Sequence, residues 1–174
     1  MRHTISVLVE NKFGVLARIA GLFSGRGFNI ESLTVGPTHD QSLSKMTIIT
    51  SGEDAVLEQI DKQLSKLVNV VRVTDLTGSG FVARELLMIK VSAAGPARNE
   101  VIQVASIFKA NVIHVEHETL VIELTGSSEK LDSFIELMGR FGIVELARTG
   151  RVAMARSSEP TEALDISPSY LRSE

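Results

Sequence analysis

The sequence contains no cysteine and no tryptophan, and its 174 residues include only one tyrosine and seven phenylalanines. Without cysteine the chain can form no disulfide, thiolate nucleophile or cysteine metal site, and it suits a reducing compartment. Long hydrophobic runs are also missing, so no segment approaches the length of a membrane span. Met1, Arg2 and His3 lead into a predicted strand without the character of a signal or transit peptide. We therefore expect a cytoplasmic protein that does not enter a membrane.

Charge of one sign is not concentrated anywhere along the chain. There are 18 basic and 21 acidic residues, for a formal net charge of -3. Nucleic-acid-binding domains cluster Lys and Arg on one face, and RNA-recognition domains stack bases on aromatic residues of their central strands. The predicted strands at 4–9 and 45–50 contain no aromatic residue. We expect no nucleic-acid partner.

Two copies of one pattern of strands and helices account for most of the chain. In the first copy, apolar periodicity predicts strands at 4–9, 30–35, 45–50 and 69–76, with helices between 14 and 25 and at 53–67. The order then repeats, with strands at 84–92, 112–116, 120–125 and 143–148 and helices at 97–109 and 128–140. The predicted fold class is α+β, two ferredoxin-like βαββαβ domains in tandem at 1–77 and 82–155. Residues 78–81 are a predicted linker, and the polar stretch 156–174 a disordered tail.

The predicted strands carry apolar residues on both faces, as in Val7 against Leu8 and Ile48 against Ile49. Two helices cover only one face of a four-stranded sheet, so something else must cover the other face or extend its edges. The simplest supplier is a second copy of the chain. We predict a homodimer in which sheets or edge strands meet.

The sequence contains no recognisable catalytic constellation. Gly25-Arg26-Gly27 lacks the third glycine of a dinucleotide fingerprint and follows a helix instead of opening one, and there is neither a phosphate loop nor a nucleophile elbow. His114 and His117 are three residues apart in a predicted strand pair, where they would point to opposite faces. That spacing favours a solvated hairpin over a metal site. We predict a chain without catalytic residues, metal or cofactor of its own.

The stretch from Asn11 to Asn29 is the most informative part of the first copy. Its helix carries apolar residues at the three-and-four spacing of one buried face, namely Val15, Leu16, Ile19, Leu22 and Phe23. Asn11 can accept from free N–H groups at the helix start, and Gly14 leaves backbone donors open to a carboxylate. At the other end, Gly25 and Gly27 can adopt left-handed turns, and Asn29 offers a donor and an acceptor to a small zwitterion.

Two interpretations of these residues remain open on chemistry alone: a cap with ordinary turns, or a site for a small amino acid. The second copy differs at the corresponding positions, with Ala-Ala-Gly-Pro at 93–96 before its helix and no glycine at 109–111 after it. If a ligand binds between strand and helix, the first copy is the better host. The second copy then serves in packing or docking.

The same residues closely resemble the regulatory (small) subunit of acetohydroxyacid synthase, or acetolactate synthase, a family built on the ACT domain. The resemblance rests on Asn-Lys-Phe-Gly at 11–14 and Arg-Gly-Phe-Asn-Ile-Glu-Ser-Leu-Thr-Val at 26–35. It continues through Ser-Lys-Met-Thr-Ile at 44–48, Arg-Glu-Leu-Leu-Met-Ile-Lys-Val at 84–91 and Lys-Leu-Asp-Ser-Phe at 130–134. It covers nearly the whole chain to about residue 155, and nothing after that residue matches.

The resemblance implies a non-catalytic subunit that activates a catalytic (large) subunit and confers feedback inhibition by valine in branched-chain amino acid biosynthesis. Thiamine diphosphate and Mg²⁺ are expected on that catalytic partner, with FAD as a further candidate. In such proteins the effector lies at the ACT dimer interface, between the first loop of one protomer and the second strand of the other. Carried onto this chain, the effector-binding residues are Asn11, Gly14, Val15, Leu16, Asn29 and Ile30. The alternative is an ACT-domain sensor of another amino acid that controls a different enzyme.

Overall fold

The computed structural model describes residues 1–78 and 80–156. Residue 79 of the predicted linker, and all of the predicted tail beyond residue 156, lie outside the described residues. The first copy comprises β1 (Arg2–Glu10), α1 (Val15–Ser24), β2 (Ile30–Pro37), β3 (Leu43–Ser51), α2 (Asp54–Leu64) and β4 (Val70–Asp75). The second comprises β5 (Phe81–Ser92), α3 (Ala97–Phe108), β6 (Asn111–Val115), β7 (Thr119–Gly126), α4 (Ser128–Gly139), β8 (Ile143–Arg148) and a further strand, β9 (Val152–Ala155). The predicted tandem βαββαβ fold is confirmed.

Both sheets are antiparallel and have the same strand order. The first runs β2-β3-β1-β4 and the second β6-β7-β5-β8. The register places Val7 of the central strand opposite Met46 and Val73, and places Ile89 opposite Ile122 and Leu146. The two halves therefore share one topology, in which residues of alternate positions on each central strand face the two helices.

Each domain has its own hydrophobic core between its sheet and its helices. In the first, α1 contributes Val15, Ile19, Leu22 and Phe23 to a cluster with Ile5, Val7, Val9, Met46, Ile48, Ile60 and Leu64. Leu16 was predicted to share this face, but it is 44 % exposed. It lies about 100° round the helix from Val15, which turns its side chain away from the sheet. In α3, Ile107 is likewise 76 % exposed.

The opposite face of the first sheet is covered in part by the chain itself. Thr4, Thr47 and Ile49 on this face are all buried. The cover is β9, which pairs with the first four residues of β5 and lies across β1 and β3. The N–H of Ala153, a residue 2 % exposed, donates to Thr47 Oγ1 at 3.4 Å. A strand not anticipated from the sequence therefore supplies part of the cover that was expected most simply from a second copy, and the homodimer stays a prediction.

Candidate functional site

The start of α1 presents free backbone donors to solvent. Gly14 is the N-cap residue, with φ 79° and ψ -4°, and no side chain caps the helix. Within the described chain, the N–H groups of Gly14, Leu16 and Ala17 donate to no other residue, while Arg18 begins the helical ladder by donating to the Gly14 carbonyl at 3.0 Å. A Cβ placed on Gly14 would meet nothing within 4 Å. No acidic side chain lies in the first turn. The positive end of the helix is thus open to an anion such as a carboxylate.

Asn11 does not cap this helix, contrary to the prediction. Its side-chain amide donates to the Gln41 carbonyl at 2.9 Å, and its backbone N–H donates to the Ser42 carbonyl at 2.6 Å. The left-handed turn at Gly14 ends the loop and starts the helix, which leaves Asn11 three residues before the N-cap position and too far away to serve it. Asn11 instead ties the loop before α1 to the loop between β2 and β3.

The chain leaves α1 through a left-handed Gly27, as predicted, whereas Gly25 is right-handed with φ -65°. The Phe28 N–H donates back to the Phe23 carbonyl at 2.9 Å, which satisfies a carbonyl of the last turn. Asn29 is exposed, and its carbonyl accepts from Thr50 Oγ1 at 2.7 Å. Its side-chain amide makes no hydrogen bond within the described residues, so a donor and an acceptor remain available there.

The predicted site residues fall into two groups at opposite ends of α1. Asn11, Gly14, Val15 and Leu16 lie at the helix start, whereas Asn29 and Ile30 follow its end. Ten residues of helix separate the groups by about 15 Å. The strand register agrees, since Glu10 lies opposite Leu43 at one end of β3 and Ile30 lies opposite Thr50 at the other. One protomer alone therefore does not bring the six residues into one pocket.

Two surfaces lie next to these groups, the exposed side of α1 and the edge strand β2. On α1, small side chains make up much of the exposed side, namely Ala17, Gly21 and Ser24. The β2 strand forms an edge of its sheet, hydrogen-bonded to β3 on one side only. Small residues on a helix and an unpaired strand edge both allow another backbone to approach closely.

The corresponding loop of the second domain is filled by an arginine. Arg98 donates through Nε to the Ala93 carbonyl at 3.1 Å and through Nη2 to the His117 and Glu116 carbonyls. These bonds fasten the loop before α3 to the turn between β6 and β7. Glu100 already lies in the first turn of α3, where its charge opposes an anionic ligand. These contacts occupy, in the second domain, the position that the first domain leaves open.

A buried charged cluster in the second domain, on the side that faces the first, was not anticipated from the sequence. The Glu85 side chain is 9 % exposed; it accepts from Ser128 Oγ, from Arg148 Nε at 2.7 Å and from Arg151 Nε at 3.5 Å. Burial by itself would raise the pKa of Glu85, but the bond from Ser128 and the bond and charge of Arg148, with the charge of Arg151, lower it below the ordinary value. Arg148 also donates to Asp132 at 2.6 Å.

Open clefts of about 230 and 370 Å³ flank this cluster. In the larger cleft the lining charges are paired with one another, since Arg2 lies 2.8 Å from Glu31 and Arg148 is shared by Glu85 and Asp132. The arrangement therefore joins elements to one another and leaves little net charge to attract a ligand. No spacing rule could have found it, because its members are far apart in the sequence.

The remaining candidate motifs are surface features. His114 is exposed and lies 3.2 Å from Glu116 Oε1. Among the described residues, no group of three or more His, Asp or Glu side chains could hold a metal ion. None of the helices at 1–78 and 80–156 combines the length and apolar character needed to cross a bilayer.

Both halves of the chain match families of known proteins. Residues 5–72 match the model of the AHAS small subunit-like ACT domain, and residues 84–157 match the model of the small subunit of acetolactate synthase. A probable acetolactate synthase small subunit from Archaeoglobus fulgidus is 52 % identical over 159 residues, 91 % of this chain and 99 % of that protein. The acetolactate synthase small subunit of Mycobacterium bovis is 51 % identical over 88 % of this chain and 92 % of that protein. The crystal structure of the small subunit from Thermotoga maritima matches with a TM-score of 0.84 at 42 % identity, covering 90 % of this chain and 98 % of that one.

Proposed function

Since the chain belongs to the family of acetolactate synthase small subunits and is not the catalytic subunit, we propose that it binds the catalytic subunit, activates it and confers feedback inhibition by valine. It acts in branched-chain amino acid biosynthesis in the cytoplasm. The catalytic partner carries thiamine diphosphate and Mg²⁺, with FAD as a further candidate cofactor. This chain contributes regulation and no reacting group.

The observation that carries the effector proposal is the uncapped start of α1. Three backbone donors, those of Gly14, Leu16 and Ala17, lie together at the positive end of the helix with no side chain over them. A valine carboxylate accepts from these donors, and the helix dipole favours its charge. A carboxylate that accepts backbone N–H bonds makes charge-assisted hydrogen bonds, the stronger class.

The rest of the ligand is held by a second protomer. Two copies that pack their α1 helices antiparallel, with their β2 edges adjacent, bring the start of one helix to the Asn29 end of the other. The ammonium group then donates hydrogen bonds to the Asn29 side-chain oxygen and to nearby carbonyls. Leu16, which is 44 % exposed, and Ile30, which is half-buried, are the apolar groups available to the isopropyl group. Val15 contributes backbone only, because its side chain is 4 % exposed and packed in the core.

A ligand shared by two protomers can regulate because it binds one dimer arrangement more tightly than another. That difference in affinity is the only source of an allosteric effect. Couplings of about 1 to 3 kcal/mol are typical, which corresponds to roughly 5- to 150-fold changes in apparent affinity.

Calorimetric titration of the full chain with valine, leucine and isoleucine tests the effector, and sedimentation tests the dimer. Activity of the reconstituted catalytic subunit, with and without this chain and with and without valine, tests the regulation. We expect one valine site per protomer, a dimer, activation by the chain and inhibition by valine. Tight binding of an unrelated amino acid, with no binding of valine, would favour the sensor of a different enzyme. A strictly monomeric chain that still binds valine would contradict the shared site.

A further inference from the structure

The segment between β8 and β9 makes an unusually close approach to strand β2 of the first domain. A Cβ built on Gly150 would lie 2.7 Å from the Leu33 carbonyl oxygen and 2.8 Å from Ser32 Oγ, and it would also collide with Thr34 Oγ1. A backbone carbonyl cannot move aside as a flexible side chain can, so only glycine fits. Next to it, the Arg151 N–H donates to Ser32 Oγ at 3.1 Å. We call residues 149–155 the strap, and it rests on β2 through Gly150 and Arg151.

The strap is also hydrogen-bonded to the second domain. The Thr149 N–H donates to the Leu86 carbonyl at 2.9 Å, and Leu86 N–H donates to Thr149 Oγ1 at 3.0 Å. The Arg151 guanidinium donates to Ser128 Oγ at 2.5 Å and lies 3.5 Å from Glu85. Because residues 149–151 contact the second domain and β2 at the same time, movement of β2 relative to the second sheet must strain or release the strap.

The strand that the strap grips is the strand that begins with the predicted effector residue Ile30. Its pairing with β3 is irregular between Ile30 and Ser32. Glu31, at the irregularity, is held by Arg2 at 2.8 Å and by Ser51. Irregular pairing of this kind re-aims side chains and bends a strand locally. Ser32, the first residue that contacts the strap, lies two positions after Ile30, about 7 Å along the strand.

We propose that the strap is the coupling element between the effector site and the second domain. Binding at the start of β2 changes the position of residues 32–34, and the Gly150 contact passes this change to β8, β9 and the Glu85 cluster, so that the second domain is reoriented. The inference rests on the proposed function, since it assumes an effector at Ile30. It adds that the signal leaves the first domain through strand β2 and the strap.

The test uses the full chain labelled at two introduced cysteines, which are its only thiols because the chain has no cysteine of its own. Gln59→Cys on α2 and Glu136→Cys on α4 are exposed positions, one in each domain. Spin labels at these sites report the distance between domains by double electron–electron resonance, with excess unlabelled chain present so that each dimer carries one labelled protomer. The strap is perturbed by Gly150→Ala. Its matched control is Gly139→Ala in α4, where a Cβ meets nothing within 4 Å.

We expect a narrow distance distribution for the parent and for Gly139→Ala, and a shift in both when valine is added. In Gly150→Ala we expect a broad distribution that valine does not shift, although its Kd for valine by calorimetry changes by less than about threefold. In the reconstituted enzyme, the ratio of activity without valine to activity with valine should fall towards one in this variant alone. Ser32→Ala removes the acceptor of the Arg151 N–H without adding an atom, and it should weaken the valine-induced shift in distance. This variant replaces Gly150→Ala in the experiment if Gly150→Ala does not fold.

An identical valine-induced shift in Gly150→Ala and the parent would overturn the coupling role. So would a parent that binds valine with no shift at all. If the parent binds no valine, the effector proposal fails. The role of the strap is then tested by the widths of the distance distributions alone. Equal widths in the parent and in Gly150→Ala would show that the strap does not fix the relative position of the domains.

Discussion

Replacing Gly14 with aspartate is expected to abolish valine binding while leaving the fold intact. Gly14 has φ 79°, and a side chain in this left-handed region costs about 1 kcal/mol, with Asp among the residues that tolerate it best. The new Cβ enters open space, and a carboxylate in the first turn of α1 recovers about 0.3 to 1 kcal/mol from the helix dipole. The free energy of unfolding should therefore fall by no more than about 1 kcal/mol.

The effect on the ligand is much larger. A tethered carboxylate at position 14 occupies the donors that the ligand needs and repels the charge of the ligand. A hydrogen bond to a charged group contributes about 1.5 to 3 kcal/mol, so the loss of two such bonds raises Kd by at least about 100-fold. Calorimetric titration of the full chain with valine measures this, and thermal unfolding of the same samples measures stability.

Two controls separate backbone strain from competition for the donors. Gly14→Ala introduces the same strain without the carboxylate and should keep most of the affinity. Gly95→Asp places the same substitution at a left-handed glycine, φ 55°, in open space before α3, where no ligand is proposed. Valine binding by Gly14→Asp within about threefold of the parent, or an equal loss in Gly95→Asp, would refute the reasoning.

The remaining predictions concern Asn29 and Glu85. Asn29→Ala should weaken valine binding by roughly tenfold, the value of one hydrogen bond, with unchanged thermal stability because its carbonyl still accepts from Thr50; unchanged affinity would leave Asn29 a purely structural role. Glu85→Gln should lower the free energy of unfolding by about 2 to 3 kcal/mol near neutral pH, since Arg148 and Arg151 lose a buried partner. The pKa of Glu85 is lowered on folding, so the advantage of the parent over this variant should be full above the ordinary value of 4.5 and disappear as pH falls through the folded pKa. A difference in chemical denaturation that does not vary with pH would contradict this assignment.

The fold could be predicted because the helices of each domain bury their apolar faces against the sheet of the same domain. The spacing of Val15, Ile19 and Phe23 reflects a face buried within one domain, against residues between 5 and 64, and such local burial leaves a period in the sequence. The openness of Gly14 was also readable, since it follows from the absence of a side chain. The role of Asn11 was not, because capping depends on the backbone angle adopted between it and the helix.

The contacts at the junction between the domains produce no periodic pattern in the sequence. Glu85, Ser128 and Arg151 lie on separate elements of the second domain and meet only when that domain has folded, and a single contact among distant residues has no period. In the sequence, Gly150 cannot be told from any other loop glycine. The need for glycine comes from the Leu33 carbonyl, which lies in the other domain and leaves no space for a Cβ. β9 is four residues long, too short for alternation to distinguish it from a loop.

The two proposals together determine where a signal travels in the assembled protein. A ligand held by the α1 start of one protomer and the β2 start of its partner acts on the partner's β2. The strap that rests on that strand belongs to the same partner, so each ligand reorients the second domain of the protomer whose Asn29 it contacts, and not of the protomer whose Gly14 it contacts. In a twofold dimer both ligands act in this crossed way, and a mixed dimer with one Gly14→Asp protomer retains a single ligand whose effect appears in one second domain only. The crossing follows from the length of α1, because its two ends are too far apart to hold one small molecule.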